Sequence, residues 1–184
     1  MKKKLGPTTL LFPMPAVLVG TVVEGRVNFM TAAWGGIANE KPAAISVAIR
    51  RTRLTLEGIR ENGTFSINLP SVEQVKEVDF CGIYSGRKED KSGLFEVFYG
   101  DLERAPLIRK CPLNLECAVL NTLELGTHLL VIGEIVQTHA ADSVLRDGAP
   151  DPEKINPLIY CTGHPQGYYA LGPRVAEAFQ VGRK

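Results

Sequence analysis

The stretch Ala48-Ile-Arg-Arg-Thr-Arg-Leu-Thr55 puts three arginines and two threonines where an apolar run ends and a helical pattern begins. The free amides of a helix N-terminus attract anions. Arginine adds a planar fork matched to phosphate oxygens, and threonine hydroxyls add neutral donors. A dianionic phosphate suits this stretch. The plain alternative makes Thr52 an N-cap and leaves the arginines solvated.

Two further stretches carry candidate chemistry. Asn28-Phe-Met-Thr-Ala-Ala-Trp-Gly-Gly36 sets small residues after a strand, where a flat heteroaromatic ring can approach the backbone. Trp34, the single tryptophan, is either a neighbour of that ring or a core residue. Cys81-Gly-Ile-Tyr-Ser-Gly-Arg-Lys-Glu-Asp-Lys91 offers a hydroxyl at Ser85, an amide at Gly86 and a point charge at Lys91. Its plain alternative is a solvated loop.

The elements that would position these residues are mostly strands. Apolar, β-branched runs occupy Ala16–Val23, Arg26–Thr31, Ala43–Ile49 and Thr64–Leu69. Leu113–Leu125 and His128–Thr138 read as a long hairpin turning at Gly126-Thr127. A helix is expected over Leu54–Asn62 with Gly63 as its C-terminal cap. A second follows Ser71, with Gln74 completing a capping box, and runs to about Phe80. Ala140–Asn156, rich in Asp, Gly and Pro, reads as an exposed loop. The last dozen residues read as a short helix around Ala176–Phe179 or a tail. A helix does not follow most strands, which disfavours a doubly wound sheet and favours a closed or nearly closed antiparallel barrel.

The totals narrow the function classes. A chain of 184 residues fits one domain, 1–184, with its core over about 15–172. The formal net charge of +1 gives no global field for nucleic acid or an anionic membrane. No apolar stretch reaches the length of a membrane span. The basic start followed by Leu10-Leu11-Phe12 is broken by Pro13 and Pro15, so it reads as mature chain, and a cytoplasmic location is expected. The four cysteines form no C-x-x-C pair, so no metal is expected and the thiols read as free. There is no G-x-G-x-x-G dinucleotide fingerprint.

Taken in order, these motifs resemble the flavin reductase-like family, the FMN-binding split barrels that include flavoredoxins. The matching residues are Asn28…Thr31-Ala-Ala-Trp34, then Arg50…Thr52…Thr55…Ile59…Gly63-Thr-Phe65…Asn68…Pro70, then Ser85-Gly86…Asp90-Lys91, and Gly126-Thr-His128…Gly133-Glu134. The resemblance covers about Pro15 to Gln137, with a weaker echo over Pro157–Gly172. It implies a mainly β fold: a six-stranded antiparallel split β-barrel of Greek-key type, with a few short helices, forming a homodimer. It implies FMN in preference to FAD, with NAD(P)H as a possible electron donor and a redox protein as a possible partner. Carried over by residue, Thr31, Ala32, Ala33 and Trp34 line the ring, and Ala48 and Ile49 present backbone to it. Arg50, Thr52, Thr55 and Lys91 hold the phosphate, with Arg51 and Arg53 near. Asn68, Ser85 and Gly86 complete the pocket. No catalytic side chain is assigned, because the flavin does the redox chemistry. His128 resembles a histidine at the nicotinamide face; its apolar neighbours Leu129–Ile132 equally suit a buried core histidine. Three functions follow: an NAD(P)H-dependent flavin or ferric reductase, a flavoredoxin-type electron carrier, and a non-redox barrel for a phosphate ligand or a protein.

Overall fold

The computed structural model describes residues 1–183. Its main sheet has seven antiparallel strands. They are β1 (Val17–Val23), β2 (Arg26–Ala32), β3 (Gly35–Asn39), β4 (Ala44–Arg50), β5 (Thr64–Leu69), β6 (Leu113–Leu125) and β7 (His128–Ala140). Across the sheet the order is β2-β1-β5-β6-β7-β4-β3. Helix α1 (Thr55–Asn62) and helix α2 (Val75–Ile83) are the two longer helices. The expected strands and helices are present within a residue or two, except that α2 begins later than its cap signal and ends later than Phe80. A 3₁₀ turn over Val72–Gln74 precedes it, and Gln74 Oε1 accepts the Ser71 amide at 3.2 Å.

The barrel expected from the resemblance is not closed by hydrogen bonds: the strands form one open sheet, with β2 and β3 as its edges. These two edges are nevertheless consecutive in the chain, joined only by Ala33 and Trp34. Three virtual Cα bonds span at most about 11 Å, so the sheet must curl until its edges nearly meet. The Ala48 amide donates to the Trp34 carbonyl at 2.8 Å, extending the β3–β4 pairing into this link. The split therefore falls on the segment that was expected to meet a ring.

Two apolar clusters hold the sheet. Val19, Val47, Ile49, Phe65, Cys117 and Val131 fill the curled interior, closed by Leu56 and Ile59 of α1. The apolar positions of α1, three residues apart, are what turn one face inward. Gly63 ends that helix in the left-handed region (φ 66°) and its amide returns to Ile59 O at 2.9 Å. On the other side of β1 and β2, Leu18 and Phe29 pack with Val78 and Cys81 of α2 and with Ile108, Cys111 and Leu158.

Ala140–Asn156 departs from the loop expected there. A short hairpin pairs Leu145–Arg146 with Ala149–Pro150, and a helical turn follows over Pro152–Ile155. Asp147 and Gly148 supply two positive φ angles for the hairpin turn. Asp151 accepts the Glu153 amide at 2.8 Å, so it caps the turn that Pro152 opens. The same Asp, Gly and Pro that suggest an exposed loop are here turn and cap residues.

Candidate functional site

The site is assembled around the C-terminal end of α2. Gly82 lies against Thr31, where an added Cβ would stand 3.6 Å from Thr31 Cβ. The Gly82 carbonyl accepts from the Arg53 guanidinium at 2.8 Å. The Thr31 hydroxyl donates to Val78 O in a short contact. One helix end thus ties the ring-type segment of β2 to the arginine turn before α1.

The polar backbone of Thr31 faces away from the sheet. In an antiparallel edge strand alternate residues direct N–H and C=O outward. Lys91 takes the outward carbonyl of Phe29, and the β1–β2 register runs without a bulge, so Thr31 points outward as well. Thr31 and Ala33 floor a cleft of about 500 Å³ whose wall includes Tyr160 and Tyr168. The two phenol rings stand 5.5 Å apart. Tyr168 donates to Asp79 Oδ1 at 3.1 Å, and burial together with that carboxylate pushes its phenol up. A flat ring with a polar edge suits this cleft: aromatic walls on one side, free backbone groups on the other. Asp79, Tyr160 and Tyr168 were not anticipated. No spacing in the sequence links them to Thr31; strand pairing of Ile159–Cys161 with Gly167–Tyr169 brings the two tyrosines together, and Asp79 reaches Tyr168 from α2.

The three arginines separate cleanly. Arg53 is committed to Gly82. Arg51 forms an ion pair with Glu124 on the β6–β7 hairpin. Arg50 is exposed and has no ion-pair or hydrogen-bond partner for its side chain among the described residues. Helix α1 starts at Thr55 with Leu54 at the N-cap position, and no side chain caps it. Thr52 is therefore not the N-cap. The Thr52 and Leu54 amides have no protein acceptor among the described residues. An uncapped helix start with an unpaired guanidinium beside it is the arrangement a phosphate would satisfy.

Other expected residues sit elsewhere or inward. Ala48 is half-buried, whereas Ala32 and Ile49 lie in the core. Thr55 is 1% exposed and accepts from Asn28 Nδ2 at 2.8 Å. Asn68 is fully buried: its amide donates to Leu18 O and Ser66 Oγ, and its oxygen accepts from Ile108 N and Asn114 Nδ2. All four of its hydrogen bonds are used within the protein. The Ser85 hydroxyl accepts the Arg87 amide at 3.3 Å. Gly86 packs so closely on Asn28 that a Cβ would meet Asn28 Oδ1 at 2.2 Å. Gly86 and Lys91 line a polar cleft of about 400 Å³ with Arg26, Glu57 and Arg87.

Lys91 is 2% exposed, so the loop carrying it is not merely solvated. Its ammonium donates to Tyr84 O at 2.7 Å, Phe29 O at 3.0 Å and Cys81 O at 3.3 Å. All three of its protons have acceptors, and burial lowers its pKa from the usual lysine value. Trp34 is 39% exposed, not a core residue, and stacks on His128 with centroids 4.8 Å apart at 31°. His128 is half-buried; desolvation and the nearby Arg50 lower its pKa below the ordinary 6.5. Its Nδ1 lies 2.8 Å from Thr127 Oγ1. No helix among the described residues is long and apolar enough to cross a membrane.

Known proteins share this fold. The chain is 40% identical to the flavoredoxin from Methanosarcina acetivorans, covering 99% of this chain and 98% of that one with a TM-score of 0.93. It is 39% identical to the flavoredoxin of Desulfovibrio vulgaris (Miyazaki F), covering all of both chains with a TM-score of 0.92. An FMN-binding protein from Thermus thermophilus with bound 1-cyclohex-2-enone is 26% identical, covering 96% and 99%, with a TM-score of 0.79. The family model for the flavin reductase like domain matches residues 9–169, so this chain belongs to that family.

Proposed function

We propose that this chain is an FMN-binding redox protein of the flavoredoxin type. The observation that carries the reading is the double use of the α2 end. It joins the outward Thr31 backbone and its aromatic-walled cleft to the uncapped start of α1 beside Arg50. Thr31, Ala33 and Trp34 would meet the ring. Arg50 and the Thr52 and Leu54 amides would hold the phosphate. Bound FMN supplies the hydride and electron chemistry. Gly86 and Thr55 pack on Asn28 of β2, Lys91 ties Phe29 to the α2 end, and Asn68 holds β5 to β6 and the Ile108 segment.

Trp34 packed on His128 favours the carrier reading, because it covers the histidine that the family resemblance assigns to a nicotinamide face. The NAD(P)H-dependent reductase is the second reading. It is favoured by a histidine whose pKa is lowered toward the neutral imidazole that an apolar nicotinamide contact tolerates. A homodimer has candidate surface in the exposed Ile37, Leu120, Leu123 and Leu125.

The deciding experiment is an anaerobic titration of the purified protein with NADH and with NADPH, followed at the flavin band near about 450 nm. The carrier reading expects a yellow protein that neither nucleotide bleaches and that a chemical reductant does. Prompt bleaching by either nucleotide establishes the reductase. A colourless protein that takes up no added FMN removes both.

A further inference from the structure

Arg50 and His128 are cross-strand partners. They stand opposite each other in the β4–β7 register, so both side chains leave the same face of the sheet. The Arg51 amide donates to Thr127 O at 3.1 Å, which ties the arginine turn to the tip of the β6–β7 hairpin. On its other sides His128 faces Leu125 of β6, stacks on Trp34 and shares a hydrogen bond with Thr127. None of these three neighbours is charged. Arg51 and Glu124, the other charged pair at this tip, neutralise each other. Among the described residues, Arg50 is left as the uncompensated charge that the imidazole meets.

We propose that an anion docking at Arg50 drives proton uptake by His128, which makes retention of a phosphate-bearing ligand depend on pH. The inference rests on the phosphate reading of the α1 start. An imidazolium beside a bare guanidinium is a like-charge pair. Desolvation, and then this guanidinium, hold the proton affinity of His128 below the ordinary histidine value. A dianion on Arg50 cancels the guanidinium's part and adds an attraction of its own. The half-buried ring can take its proton from solvent. Linkage makes the effect reciprocal: protonated His128 tightens the anion by the factor with which the anion tightens the proton. Anion affinity is therefore full below the anion-free titration of His128 and falls as pH rises through the anion-bound one.

Sulfate is the probe, because it stays doubly charged across the range and carries no proton of its own. The flavin-free full chain, its fold checked by circular dichroism, is titrated with sodium sulfate against sodium chloride at matched ionic strength. NMR reads the Thr52 and Leu54 amides for occupancy and the His128 ring for its proton. Sulfate should perturb both amides and raise the His128 midpoint above its value in chloride. It should bind at least about threefold more tightly at about pH 5.5 than at about pH 8. In His128→Gln sulfate should still bind, with that pH dependence gone, and Arg50→Gln should abolish the rise of the midpoint. Sulfate that moves the two amides but not the His128 midpoint overturns the coupling and leaves the phosphate site standing. Sulfate that moves neither amide removes the phosphate site and the coupling together. An undiminished pH dependence in His128→Gln assigns the effect to other groups and overturns the inference.

Discussion

Replacing Lys91 with Met removes a buried ammonium that supplies three carbonyls at once. Each carbonyl left without a donor costs about 1–3 kcal/mol. Taking the low end for all three gives a loss of about 3 kcal/mol. Part is offset, because a cation held without a carboxylate no longer has to be desolvated. The net expectation is a destabilisation of about 2–3 kcal/mol, or a Tm lower by about 5–10 °C for a domain of this size. The assay is urea unfolding of flavin-free protein, followed by far-UV circular dichroism and Trp34 emission together. The midpoint should fall with the slope unchanged. A Lys91 that instead served as a point charge on phosphate would behave differently: the Met variant would keep its flavin-free midpoint and lose only FMN affinity. An unchanged midpoint would refute the structural account of Lys91.

Thr55→Val leaves the buried Asn28 amide without its acceptor and should cost about 1–3 kcal/mol in the same unfolding assay; a loss below about 0.5 kcal/mol would show that the pair contributes nothing. Asn68→Leu breaks four hydrogen bonds and should destabilise by about 3 kcal/mol or more, while FMN affinity in the folded fraction is retained, as measured by flavin titration. Arg50→Ala should weaken FMN by about tenfold to a hundredfold without moving the flavin-free midpoint; the opposite pattern would take the phosphate away from this arginine. His128 binds its proton less tightly folded than unfolded, so stability is lost as pH falls from 6.5 through its folded value. An NMR titration of the His128 ring should give a midpoint below 6.5, raised by Arg50→Ala; a wild-type midpoint at or above 6.5 contradicts the geometry.

The strands and the longer helices were legible because each carries its period and its punctuation, such as Gly63 after Ile59 or Pro70 after Leu69. The family was legible from the order of loose motifs. Orientation was not. Nothing in Arg50-Arg51-Thr52-Arg53 says which guanidinium is free; a carbonyl of α2 and Glu124 on a distant hairpin decide it. Lys91 and Asn68 have types and positions that suit a ligand, but the partners are backbone carbonyls for Lys91 and a mix of backbone and side-chain groups for Asn68, brought together by tertiary packing. The tyrosine wall was invisible for the opposite reason, since its residues lie more than a hundred positions from Thr31. The aspartates, glycines and prolines of Ala140–Asn156 show how one composition serves either an irregular loop or a capped turn.

The two-residue link at Ala33–Trp34 holds the two edge strands of the open sheet together at one end, leaving a slit between them. A seamed tube resists bending almost as a closed one does but twists far more freely, because shear along the slit is opposed only by what bridges it. Here the lips are joined by the Ala33–Trp34 link itself, which the Ala48–Trp34 backbone hydrogen bond ties to β4. A rigid plate laid along the slit would couple the two lips mechanically. Whatever occupies this line sets the torsion of the whole sheet, so a change in the occupant's shape or charge reaches residues it never touches.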